Sequence, residues 1–210
     1  MNREEQINVV ELRNYLLKPG ARDRFIDYFA RHFVESQNNS GGFVLGAFTI
    51  NDEADRFFWI RGFTDMNSRS RFLPAFYGGE IWKKFGGEAN DMMLESHHVY
   101  LLNPLKTMRA KDFLTEKNLT VIDLYFAEIN KLAELIDLFQ TKNPENSSFW
   151  RSETAENDFP RLPVIKNENL LAAITSHADE SEYQSSEKDW QTNAENLIKK
   201  HEQLILTRAF

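Results

Sequence analysis

The chain has 210 residues, 25 basic and 32 acidic, a net charge of −7, and no cysteine. A chain of this length buries roughly 70% of its unfolded surface and needs no disulfide or metal staple; without cysteine, a disulfide scaffold, thiol catalysis and a cysteine-ligated zinc centre are excluded. The acidic balance argues against nucleic acid as a partner, because that affinity comes from Lys and Arg replacing phosphate counterions.

Residues 7–17 alternate as a strand and end at the turn Lys18-Pro19-Gly20. Phe25, Tyr28, Phe29, His32 and Phe33 then fall at i, i+3, i+4, i+7 and i+8, the stripe of a helix that breaks at Asn38-Asn39-Ser40-Gly41-Gly42. Residues 43–50 and 56–63 read as two strands around the polar loop 51–55, a hairpin. Asn67 or Ser68 is the predicted cap of a second helix, broken at Tyr77-Gly78-Gly79 and again at Gly86-Gly87. Residues 97–103 make a last strand before Pro104. The order is β-α-β-β-α-β, the split βαβ unit of ferredoxin-like folds.

The second half repeats it. Val121-Ile122-Asp123-Leu124 matches Val9-Val10-Glu11-Leu12, and Leu135-Ile136-Asp137-Leu138-Phe139 matches Phe25-Ile26-Asp27-Tyr28-Phe29. Residues 143–148 read as a loop, 151–167 as irregular or edge-like, and 170–174 as a strand. A polar helix over 179–200 carries Trp190 where the first copy has Trp82, and 203–209 closes the unit. The expected fold is therefore α+β: tandem ferredoxin-like (βαββαβ) repeats over 1–105 and 118–210.

Strand side chains alternate between faces. The expectation places Val10, Leu12, Leu16, Phe58, Ile60, Val99 and Leu101 under the helices. Glu11, Arg13, Tyr15, Phe57, Trp59, Arg61, Phe63, His98 and Tyr100 then share the helix-free face. A patch so apolar needs a cover. Two such sheets packed face to face, either within one chain or between two, would close into a barrel enclosing a small-molecule cavity.

Three segments carry a family resemblance: Glu11-Leu12-Arg13-Asn14-Tyr15 with Lys18-Pro19-Gly20; Arg56-Phe57-Phe58-Trp59-Ile60-Arg61-Gly62-Phe63 with Asp65-Met66; and Phe76-Tyr77-Gly78-Gly79 with Trp82. In these the chain resembles the NIPSNAP family of the dimeric α/β-barrel superfamily. The second copy keeps the element order and loses the motifs: Tyr125 stands where Arg13 would be. The resemblance implies a bacterial, mostly uncharacterised kind of protein with no catalytic residues to carry over, and a homodimer. Its eukaryotic relatives are associated with mitochondria and vesicle or organelle-quality roles. The wider superfamily includes small monooxygenases and haem-using enzymes, an analogy of fold only.

The candidate ligand-binding residues are Glu11, Arg13, Tyr15, Trp59, Arg61, His98 and Tyr100. An arginine in a cavity would hold a carboxylate or an enolate-like oxygen; equally, Glu11 would pair with Arg13 or Arg61 as a structural ion pair. Asn14, Trp59 and His98 resemble the set of some haem-degrading relatives, which makes haem the alternative to an expectation of no cofactor. His97 and His98 point apart on a strand, and without HxxxH or HExxH spacing no metal site is expected. The acidic start Met1-Asn2-Arg3-Glu4-Glu5 is unlike a signal peptide, so the expected place is the cytoplasm, without membrane insertion. The functional expectation is a barrel binding a small aromatic or carboxylate-bearing molecule, with cofactor-independent catalysis as an extension. The alternative is a non-catalytic adaptor whose aromatic face is a protein interface.

Overall fold

Period-2 apolar runs bounded by turn residues become strands throughout the computed structural model, which describes residues 5–113, 117–141, 147–166, 169–185 and 194–210. The strands are β1 (Gln6–Ile7), β2 (Val9–Leu17), β3 (Phe43–Ile50), β4 (Arg56–Phe63), β5 (Met93–Pro104), β6 (Met108–Arg109), β7 (Leu119–Ala127), β8 (Ser147–Ser152), β9 (Leu170–His177) and β10 (Ile198–Arg208). Helices α1 (Arg22–Phe29) and α2 (Glu35–Ser40) run together through a π turn, Ala30–Val34. They end at Gly41, whose φ of 92° is left-handed and suits glycine. Helices α3 (Met66–Gly78), α4 (Glu80–Met92), α5 (Leu132–Thr141) and α6 (Glu180–Ser185) follow in chain order.

Eight strands close a barrel in the order β10-β3-β4-β2-β5-β8-β9-β7, with β10 paired back to β7. The barrel closes within one chain. Its two seams join the halves of the sequence: Leu102 pairs with Ser152 across β5–β8, and Leu206 with Ile50 across β10–β3. The register repeats as well. Glu11 stands opposite Arg61 and Leu101, while Asp123 stands opposite Ala173 and Gln203.

An eight-stranded barrel is just wide enough for side chains to fill, and here they do. Leu12, Phe48, Phe58, Ile60, Ile122, Trp150 and Leu206 belong to one buried cluster drawn from both halves. A second aromatic layer, with Phe25, Phe29, Phe57, Trp59, Phe63, Phe72 and Phe76, lies between the outer side of β2–β4 and helices α1–α4.

This reverses the expected faces of two strands. Val10, Leu12, Phe58 and Ile60 point into the barrel, while Tyr15, Phe57, Trp59 and Phe63 face the helices. On β5 the expectation holds for Leu101, which faces the helices, and for Tyr100, which faces inward. The reason is physical: an open sheet hides its more apolar side under helices, but a closed barrel buries both sides, so alternation shows two faces without telling which is which. The aromatic layer is covered by the chain's own helices.

Other corrections are local. Asp65, rather than Asn67 or Ser68, caps α3: its Oδ1 accepts from the Ser68 amide at 2.6 Å, and the Ser68 hydroxyl faces the Asp65 amide at 3.1 Å. Gly86 and Gly87 lie inside α4 rather than breaking it. At Gly86 a Cβ would stand 2.7 Å from the Trp82 ring, so glycine is there to admit the indole. Ser147 and Ser148, read as loop, begin β8. The helix expected over 179–200 ends at Ser185 in the described residues, and Ile198 already starts β10. Trp190 and residues 143–146 lie outside the described residues.

Candidate functional site

Glu11 on β2 is fully buried beneath the helices. Its Oε2 accepts from Arg13 Nη1 at 2.9 Å and from Arg61 Nε and Nη2 at 2.9 and 2.6 Å; its Oε1 accepts from Arg69 Nε at 2.8 Å. Arg61 Nη1 donates to Gln37 at 2.9 Å, and Arg69 Nη1 to Asn157 and Asp158 at 3.1 and 3.0 Å. Burial alone would raise the Glu11 pKa, but the guanidiniums of Arg61, Arg13 and Arg69 together hold it well below the usual carboxylate range. Three buried guanidiniums face one buried carboxylate and the partly exposed Asp158, so the cluster carries one positive charge in excess.

Aromatic rings stand where water would otherwise solvate these cations. The Trp59 ring has Arg13 Cζ at 5.3 Å and Arg61 Cζ at 5.2 Å from its centroid, and Phe63 and Phe72 lie 5.4 and 5.3 Å from Arg61. Cation–π attraction is worth about 2 kcal/mol or more per pair when desolvated. The π turn of Ala30–Val34 leads into Gln37, which is buried on Arg61.

Arg13 Nε donates to the Tyr15 hydroxyl at 2.9 Å and Nη1 goes to Glu11, leaving Nη2 without a hydrogen-bond partner among the described residues. Arg13 and Tyr15 form the floor of a cleft of about 210 Å³. Its walls are Tyr77 at the end of α3, Trp82 and Asn90 of α4, Met93 and Ser96 of β5, and Phe159, Arg161 and Leu162 of the β8–β9 connection. Two arginines and no carboxylate line it. An apolar annex, lined by Phe29, Phe33, Trp59 and Phe76, shares Tyr15, Tyr77, Trp82 and Met93 with the cleft. Tyr77 meets Trp82 edge-on at 4.7 Å and stacks with Phe159 at 5.9 Å. Burial pushes the Tyr15 phenol pKa up, so the hydroxyl stays protonated at neutral pH and keeps a donor.

The expected site residues divide. Glu11, Arg13, Tyr15, Trp59 and Arg61 converge, on the helix side of the sheet rather than inside the barrel, whose interior is packed. Of these, Arg13 and Tyr15 reach the cleft, while Glu11 and Arg61 lie beneath it as support. His98 and Tyr100 do not join them: their rings lie 5.4 Å apart, and Tyr100 packs against Phe126 inside the barrel. Burial and the neighbouring Arg56 hold the His98 imidazole below its ordinary pKa. Arg69, Gln37, Asn90, Phe159 and Arg161 carry no such expectation in the sequence, and Tyr77 and Trp82 stand out there only as parts of the family motif. Arg69 had a signal: a lone arginine in step with Phe72, Leu73 and Phe76 on the buried stripe of α3. Arg161 had none.

Haem does not fit the residues proposed for it. Asn14 pairs with His98 across β2–β5, on the face turned to the barrel, whereas Trp59 is held between two arginines on the other. No histidine lines the cleft. Among the described residues no group of three His, Asp or Glu side chains could hold a metal ion, and no helix is long and apolar enough to cross a membrane. The second half has a different arrangement at the matching place: Asp123 meets His201 at 2.8 Å and Gln203 at 2.7 Å, with no arginine among them.

Comparison with solved structures finds the whole architecture at low identity. A protein of Lactobacillus acidophilus, provisionally named a monooxygenase, is 12% identical over 97% of this chain and 95% of its own, with a TM-score of 0.65. A similarly named protein of Fusobacterium nucleatum is 13% identical over 97% and 93%, with a TM-score of 0.66. An anthrone oxidase-like protein is 7% identical over 99% and 93%, with a TM-score of 0.67. These identities establish the fold alone. No curated protein matches the chain. Residues 10–108, which supply the cluster of Glu11, Arg13, Arg61 and Arg69 and the floor of the cleft, match the model of the NIPSNAP family, and this half of the chain is a NIPSNAP domain.

Proposed function

We propose that the protein binds a small aromatic carboxylate in the cleft over Arg13 and Tyr15. The carrying observation is the free Nη2 of Arg13 above a buried cluster with one surplus positive charge. Burying charge without a counter-ion costs several kcal/mol, and a carboxylate on Arg13 offsets that cost with a charge-assisted hydrogen bond. Tyr77, Trp82 and Phe159 offer ring faces and edges to an aromatic ligand. At about 210 Å³ the cleft is smaller than the roughly 300–1,000 Å³ of sites for drug-sized molecules, which points to one ring.

Two further parts of the reading belong with it. The chain is two fused ferredoxin-like units, 1–105 and 118–210, supported by the repeated register and by the equivalent seams. Catalysis without a cofactor is an extension of this reading: Arg13 would stabilise negative charge developing on a bound ring oxygen. A homodimer belongs to the same reading and is decided by sedimentation; the residues named around the cleft all come from one chain.

The test is thermal unfolding with benzoate, phenylacetate and the neutral benzyl alcohol, since a ligand of the folded state raises the melting temperature by mass action. The acids should raise it and the alcohol should not. Equal shifts, or none at millimolar acid, would count against an anion site.

A further inference from the structure

The second arginine of the cleft comes from the other half of the chain. Residues 153–166 form a strap tied to β5 at both ends, Glu153 N donating to Leu101 O at 2.9 Å and Ile165 N to Val99 O at 2.8 Å. Its middle is tied to α3 by Arg69, which binds Asn157 and Asp158, and by Phe159 stacked on Tyr77. Asn157 Nδ2 donates to Leu162 O at 3.0 Å, and Pro160 and Pro163 stiffen the segment between. Arg161 is thus set on a braced turn above the cleft. Other cations nearby have carboxylates, Lys166 on Glu156 and Arg69 on Asp158. Arg161 has no ion-pair or hydrogen-bond partner among the described residues.

Resting on the anion-site reading above, we propose that Arg161 binds a second negative group, so that the ligand is a single-ring aromatic dicarboxylate held between Arg13 below and Arg161 above. A monoanion on Arg13 leaves Arg161 unmatched. Two like charges on one small, carboxylate-free cleft repel each other, and a dianion of the right span satisfies both. Guanidinium is the cation suited to this, because its planar fork meets carboxylate geometry directly.

The experiment is calorimetric titration of benzoate, isophthalate and terephthalate into the wild type and Arg161→Gln at one ionic strength. At least one dicarboxylate should bind wild type about tenfold more tightly than benzoate, in line with a charge-assisted contact. Arg161→Gln should remove that advantage, costing the dicarboxylate clearly more affinity than it costs benzoate. Because the side chain is exposed, an unchanged melting temperature of the unliganded variant checks the fold. If benzoate binds but no dicarboxylate binds more tightly, or if Arg161→Gln weakens all three alike, the role of Arg161 is overturned while the anion site stands. If none of the three binds wild type, the anion site itself fails and this inference with it.

Discussion

Glu11 receives four hydrogen bonds from three arginines in a place sealed from water. Removing one partner of such a group is far costlier than the net worth of the cluster, because the remaining charges stay buried and unpaired. Glu11→Gln should destabilise the protein by about 3–5 kcal/mol in denaturant unfolding. Arg61→Ala would likewise damage the fold, since Arg61 links Glu11 to Gln37; it is support, and unsuited to a ligand-only test. The acid limb of stability has a sign that follows from Glu11. Its folded pKa lies below the unfolded value of 4.5, so its contribution is full above that pH and is lost as the pH falls below it. Wild-type stability should therefore drop more steeply than that of Glu11→Gln below about pH 4.5, by about 1.4 kcal/mol per pH unit. Parallel curves from urea melts at pH 2.5–5 would contradict this assignment. Glu11, Arg13 and Arg61 were legible as a cluster because alternation puts them on one face of paired strands. Which face that was could not be read, since aromatic rings and charges share it.

At the scale of elements, α4 depends on a glycine in its interior. Alanine is worth about 1 kcal/mol over glycine in an exposed helix, yet at Gly86 its Cβ would meet the Trp82 ring at 2.7 Å. Gly86→Ala should cost about 1–3 kcal/mol through displaced packing and weaken ligand binding, because Trp82 walls the cleft; Gly87→Ala, where a Cβ meets nothing within 4 Å, is the control. Unfolding curves that rank the two variants equally would refute that role of the glycine. Strands β3 and β4 were readable to their ends, since period-2 runs stop at Asn51 and resume at Arg56. Strand β8 was hidden: Ser147–Ser152 is short and polar at its start, and one of its two partners, β5, comes from the other half of the sequence. The helix expected over 179–200 begins as α6, and its far end is overridden for a related reason. Lys199 and Lys200 look like part of a solvated helix, but they lie in β10, whose pairing with β7 overrides local preference.

At the scale of the molecule, the two halves share one interior and the strap of the second covers the cleft of the first. A fragment of residues 1–112 would expose the β3 and β5 edges that β10 and β8 cover, along with its half of the inner cluster. Such edges seek a partner. The fragment should sediment as a dimer that rebuilds an eight-stranded barrel, and a stable monomer would contradict the shared-core account. The repeat was visible in sequence because Val9–Leu12 and Val121–Leu124 match in pattern. Closure within one chain was not, since no local signal distinguishes a seam inside a chain from one between chains. The central claim, an anion cleft outside the barrel, is tested most directly by a crystal structure of the protein soaked with isophthalate. The account predicts one carboxylate on Arg13 Nη2 and the ring beside Tyr77 and Trp82. Ligand density elsewhere on the molecule, or an empty cleft at saturating concentration, would contradict it.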